Sequence, residues 1–89
     1  MTDTPSIVPA FEFDGVTFRC WITDDGVNEL GIPAKRHEWR SVDGRCRAGR
    51  NSGNAMSWSS VDGRMFGIHF QSTRLAMQAA VRVTQRRAA

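Results

Sequence analysis

Asp-Gly occurs four times in this chain, at Asp14-Gly15, Asp25-Gly26, Asp43-Gly44 and Asp62-Gly63. No other feature constrains the fold as tightly. A two-residue type I′ turn needs positive φ at both central positions, which Asp and Gly tolerate. Asp-Gly between alternating apolar segments therefore marks a β-hairpin. Three of the four pairs lie between such segments, so the chain is expected to be a run of hairpins. From Ser72 onward the apolar period changes from two to about 3.6, which predicts a single closing helix.

The first hairpin is expected over residues 10–13 and 16–23. Alternation puts Phe11, Phe13, Val16, Phe18, Cys20 and Ile22 on one core-facing side and Glu12, Thr17, Arg19 and Trp21 on the other. Residues 24–35 hold two glycines and a proline and predict a loop, with a short edge strand near 27–30. The second hairpin, 36–42 with 45–48, opposes Val42 to Arg45 and Arg40 to Arg47 and turns Trp39, Ser41, Cys46 and Ala48 inward. Residues 49–54 form a polar, glycine-rich loop that carries Arg50, the segment of the interior expected to move most. The third hairpin, 55–61 with 64–70, sets Phe66, Ile68 and Phe70 on one face. Met56, Trp58, Met65 and His69 take the other, with Trp58 opposite Gly67. Both faces are apolar, so this hairpin should be central and covered on both sides, or else present a binding surface.

The helix is expected over 72–87, capped by Ser72. Leu75, Ala76, Ala79, Ala80 and Val83 form its apolar stripe, expected against Phe66, Ile68 and Phe70. The fold class is α+β: an antiparallel, hairpin-built sheet of four to six strands with one C-terminal helix on one face. One domain spans 1–89, with 1–9 flexible, 10–70 in the sheet and 72–87 helical. The pattern W-x-S-V-D-G-R occurs twice, at Trp39–Arg45 and Trp58–Arg64. Two copies are too few for a solenoid and indicate two similar hairpins of one meander.

The net charge of +3 conceals an asymmetry. Residues 1–34 hold six acids and one base, net −5; residues 35–89 hold eleven bases and three acids, net +8. Eleven of the twelve bases are Arg, which suits bidentate contact with phosphate or carboxylate. The outer face of the second hairpin collects Arg36, Arg40 and Arg45 with Arg47, relieved only by Glu38. Like charges directly opposite one another destabilise a sheet, and an anion bound there would relieve them. With Arg50 and Arg64 these make a candidate nucleic-acid-binding set of six arginines. Trp21, beside Arg19 on a sheet face, either stacks on a base, anchors a protein contact or packs beneath the 24–35 loop. With Arg74 and Arg82 of the helix it makes a candidate protein-interaction set.

Several function classes are excluded or unmarked. A chain of 89 residues is too short for a dinucleotide-binding, (β/α)₈-barrel or hydrolase domain. No apolar run is long enough to span a membrane, and the first nine residues lack a leader's features, so a cytoplasmic location is expected. No nucleophile elbow, Walker loop or glycine-rich dinucleotide motif marks an enzyme or a cofactor site. Cys20, His37, Cys46 and His69 lack the close pairing that zinc ligands need. Both cysteines fall on inward faces, which favours buried thiols over a bridge.

Trp58, Gly67, Phe70, Ser72, Ala76 and Ala79-Ala80 carry a resemblance. The stretch 58–81 resembles the end of the AP2-like and phage-integrase arm-binding DNA-binding domains. That resemblance implies three antiparallel strands on one helix, a sheet that enters the DNA major groove, and Arg40, Arg45 and Arg47 as the reading face. The expected function is a small non-enzymatic binding protein, monomeric or homodimeric, with nucleic acid (DNA) as the leading partner. The alternative is a phage or mobile-element protein that binds and inhibits a host protein or nucleoprotein complex.

Overall fold

The computed structural model describes residues 2–27, 29–51 and 56–88. Among these residues seven strands and one helix follow in order: β1 (Thr2–Pro5), β2 (Phe11–Phe13), β3 (Val16–Val27), β4 (Pro33–Ser41), β5 (Cys46–Arg50), β6 (Ser57–Val61), β7 (Arg64–Phe70) and α1 (Thr73–Ala88). All pairings are antiparallel. β3 to β7 form a meander, and β1 and β2 lie end to end along the outer edge of β3. The α+β class holds, with seven strands where four to six are expected. The additional strand is β1, in a segment expected to be flexible: Thr2 to Pro5 pair with Asp24 to Trp21.

The four Asp-Gly pairs take three different roles. Asp14-Gly15 and Asp62-Gly63 have positive φ at both residues and close two-residue hairpins as expected. At Asp43-Gly44 only the glycine is left-handed. There the Gly44 N–H donates to the Ser41 carbonyl at 2.9 Å, and the Cys46 N–H donates to Ser41 Oγ at 2.9 Å. Asp25-Gly26 closes no hairpin. It lies at a register shift inside β3, between Asp24 and Val27. Of the expected 24–35 loop, 24–27 and 33–35 are instead the arms of a long β3–β4 hairpin, while 29–32 lie outside the strands. The edge strand expected near 27–30 does not continue past Val27 among the described residues.

Cross-strand partners share a face. Phe18 and Ser41 make one row; Cys20, Trp39, Ala48, Ser59 and Gly67 make the next. This face carries the core. Phe13, Phe18, Cys46, Ala48 and Val61 pack there with Ala76, Met77, Ala80 and Val81 of α1. The inward assignments of Phe13, Phe18 and Cys20 and of Ser41, Cys46 and Ala48 therefore hold. Phe11 stays 42% exposed, with its ring 5.3 Å from that of Trp39.

The helix lies chiefly over β5 and β6, not over β7. Its expected contact with Phe66 and Ile68 is absent: these are 40% and 46% exposed, and Leu75 is 47% exposed. Only Phe70 of that trio packs against the core. The buried stripe is Ala76, Met77, Ala80, Val81 and Thr84, with Ala79 and Val83 half-buried on its flank. Two register shifts in the β6–β7 pairing underlie the difference. Gly67 pairs with Ser59 instead of Trp58 and leaves Phe66 as an extra residue, so the simple alternation along β7 fails. β7 is an edge strand, not the central one expected. Ser72 caps the helix as expected, its Oγ accepting from the Leu75 N–H at 3.2 Å.

Small residues let the helix approach closely. Ala76, Ala80, Ala48 and Ser59 are fully buried, and Ser59 Oγ donates to the Ala76 carbonyl at 2.7 Å. Among the described residues no helix is long and apolar enough to cross a membrane.

Candidate nucleic-acid interface on the open sheet face

No described element covers the sheet face opposite the helix. Two rows of side chains cross it side by side. Arg19, Arg40, Arg47, Ser60 and Met65 are successive cross-strand partners from β3 to β7. Two residues along each strand lies the second row: Trp21, Glu38, Gly49 and Trp58, on β3 to β6. A depression of about 360 Å³ opens between Arg19, Trp21, Arg40, Val42 and Arg47. Another, of about 490 Å³, continues past Arg47 to Trp58, Ser60 and Met65.

Three arginines in line on adjacent strands repel one another. Carboxylates partly offset this. Arg40 donates from Nε to Glu38 at 2.9 Å and from Nη2 to Asp3 at 3.0 Å. Its guanidinium also lies 5.3 Å from the centre of the Trp21 ring, within cation–π range. Glu38 reaches Arg47 only at 3.8 Å, and the Arg47 side chain is 53% exposed. Arg19 is exposed and makes no ion pair among the described residues. Hydrogen bonds from Thr23 and from Arg40 hold the Asp3 carboxyl below its ordinary value of 3.8.

The six expected nucleic-acid residues divide. Register places Arg36, Arg40 and Arg47 on the open face, and alternation from Arg47 puts Arg45, just before β5, at its rim. Arg45 is already committed, its Nε and Nη2 donating to the two oxygens of Asp62 at 3.0 and 3.1 Å. Arg50 is the last residue of β5, not part of a loop, and its partner Ser57 faces the helix. Arg64 pairs with the helix-facing Val61. Both belong to the other side of the sheet. The rest of the expected 49–54 loop, from residue 52, lies outside the described residues.

The expected protein-interaction set does not form one patch. Trp21 is half-buried on the open face under Arg40. Arg74 and Arg82 are exposed on α1, on the opposite side, where Arg74 reaches 6.0 Å from the Phe13 ring. Arg19 and Trp58 belong to the site and are missing from the expected sets. Arg19 already shares a face with Trp21 in the first hairpin, but only the β3–β4 pairing brings it beside Arg40. Trp58 lies against Gly49: a Cβ there would fall 2.9 Å from the indole. Glycine is what admits the ring against the strand.

Cys20 and Cys46 are buried, unbridged thiols on the helix side. Burial raises both above the ordinary thiol value of 9.0, so neither is poised as a nucleophile. No family model, curated protein or solved structure matches the chain.

Proposed function

We propose that this is a non-enzymatic binding protein that holds nucleic acid on its open sheet face. The observation that carries the reading is the row Arg19–Arg40–Arg47, three guanidinium groups in line on an uncovered surface. Such a row is costly to the isolated sheet and complementary to a phosphodiester chain. Arg19 and Arg47 have the most freedom to bind; Arg40 is held by Asp3, Glu38 and Trp21 and orients the row.

Fluorescence anisotropy with random-sequence DNA and RNA at about 50 and 200 mM salt tests this, because phosphate contacts release counterions and weaken steeply with salt. Arg19→Ala with Arg47→Ala should leave the fold intact, weaken binding on all sequences and flatten the salt slope by about one per arginine. Unchanged affinity in the double variant would remove this face as the site.

A host protein or nucleoprotein complex is the second reading. It is supported by Val27, Leu30 and Ile32 at the end of the β3–β4 hairpin, which are 66%, 83% and 55% exposed. An apolar tip of this kind suits a protein contact better than a phosphate backbone.

A further inference from the structure

The open face carries more than charge, and the way charge and aromatic rings are divided on it restricts the ligand. The arginines and the tryptophans occupy separate, adjacent rows. Arg19, Arg40 and Arg47 form one; Trp21 and Trp58 stand in the other, on β3 and β6. Side chains two residues apart along a strand are about 7 Å apart, and three strand spacings separate the two tryptophans by about 14 Å. A single nucleic-acid strand has the same division, with phosphates along one side and bases along the other.

We infer that the ligand is single-stranded nucleic acid, laid across the strands with phosphates at Arg19 and Arg47 and unstacked bases on the Arg40-capped Trp21 and on Trp58. The inference rests on the nucleic-acid reading above and narrows it. Three observations favour a single strand over a duplex. First, six strands lie side by side in this sheet, a face about 24 Å across, whereas a duplex major groove is about 12 Å wide and admits a helix or a two-stranded ribbon. Second, a tryptophan on an open sheet face can stack only on a base whose own face is free, and duplex bases are stacked on each other. The Trp58 indole lies against Gly49, which has no side chain to hold it off the strand. Third, Arg40 covers Trp21 at 5.3 Å and so extends the aromatic surface with a guanidinium plane, on which bases also stack.

Asp3 and Glu38 stand among the arginines, and their charge disfavours phosphate close to Arg40. Phosphate contacts therefore concentrate at Arg19 and Arg47, on either side of it. Spaced contacts and stacking on any base give a site with little sequence preference.

The test measures the full chain against three fluorescein-labelled probes at about 50 mM salt: a mixed-sequence DNA strand of about 20 nucleotides, its duplex, and the RNA strand of the same sequence. That length exceeds the roughly 4–16 nucleotides a small single-strand module occupies. One or both single strands should bind at least about ten-fold more tightly than the duplex. Trp58→Leu should weaken single-strand binding about five-fold or more and leave duplex binding unchanged. A thermal melt checks that this variant folds. Should it not fold, tryptophan emission of the unaltered chain decides: unlabelled single strand should quench it saturably and duplex should not. Equal or tighter duplex binding, or quenching by both ligands alike, would overturn the single-strand assignment while leaving nucleic-acid binding in place. Binding to none of the three probes would overturn both.

Discussion

Arg40 is held by two carboxylates and a tryptophan before any ligand arrives. Asp3 is the more exposed of the two acids and sits on the short edge strand β1, so it is the anion that an incoming phosphate meets. Asp3→Asn should therefore tighten nucleic-acid binding, roughly fivefold in Kd at low salt. Titration of labelled oligonucleotide checks this, and weaker binding would mean that Asp3 positions Arg40 instead of competing for it. The pairing is also linked to pH. The folded Asp3 carboxyl is depressed, so its stabilisation is complete above the ordinary value of 3.8 and is lost as the pH falls through the lower folded value. At this scale the second hairpin's arginines were legible, because alternation alone aligns Arg40 with Arg47. The partners Asp3 and Arg19 were not: Asp3 arrives from the non-consecutive strand β1, and Arg19 is aligned only by the register of β3 against β4.

The helix and the repeated motif show how an element's surroundings select among the faces its sequence offers. Alanines at 76, 79 and 80 make two helix faces nearly equal in apolarity, and periodicity cannot rank them. The position of α1 over β5 and β6 chooses the face with Ala76, Ala80 and Met77. Ala80→Leu should destabilise the fold by about 1–3 kcal/mol through overpacking. Leu75→Ala, at a half-exposed site, should change stability by no more than about 0.5 kcal/mol. Urea unfolding of the two variants checks both, and a loss of several kcal/mol in Leu75→Ala would restore the stripe that periodicity suggests. The W-x-S-V-D-G-R repeat makes the same point in the sheet. Trp39, Ala48 and Ser59 share one row, so Trp58 falls one position out of line with Trp39 and faces the other way. Val42 is accordingly 69% exposed and Val61 only 1%. A one-residue difference in register moves every side chain to the opposite face. Even the shared Val-Asp-Gly-Arg segment adopts two different turns, because Ser41 Oγ bonds the Cys46 N–H in the first copy.

For the molecule as a whole, the acidic and basic halves of the sequence do not become two poles. Pairing of β3 with β4 sets Asp24 beside Lys35, and β1 carries Asp3 to Arg40. The resulting surface is a local arginine row set among acids, not a uniformly positive field. Global stability has an alkaline limit as well. Burial holds the Cys20 and Cys46 thiols protonated in the fold, so their contribution is complete below the ordinary thiol value of 9.0 and is lost as pH rises through the folded values. The denaturation midpoint should fall between about pH 8 and about pH 10, and Cys46→Ala should reduce that fall.

By itself the sequence determined the architecture: hairpins at two Asp-Gly turns, the inward set of Phe13, Phe18, Cys46 and Ala48, and a Ser72-capped closing helix. These follow from local chemistry, from turn dihedrals, alternation and capping, and need no distant partner. Tertiary structure alone decided which strand lies beside which, where β7 slips, and which side of the alanine-rich helix is buried. It also decided that one sheet face stays open with Arg19 and Trp58 in it. Each of those depends on register between strands and on where the helix finds room, and a register is a property of two segments together, which neither carries alone.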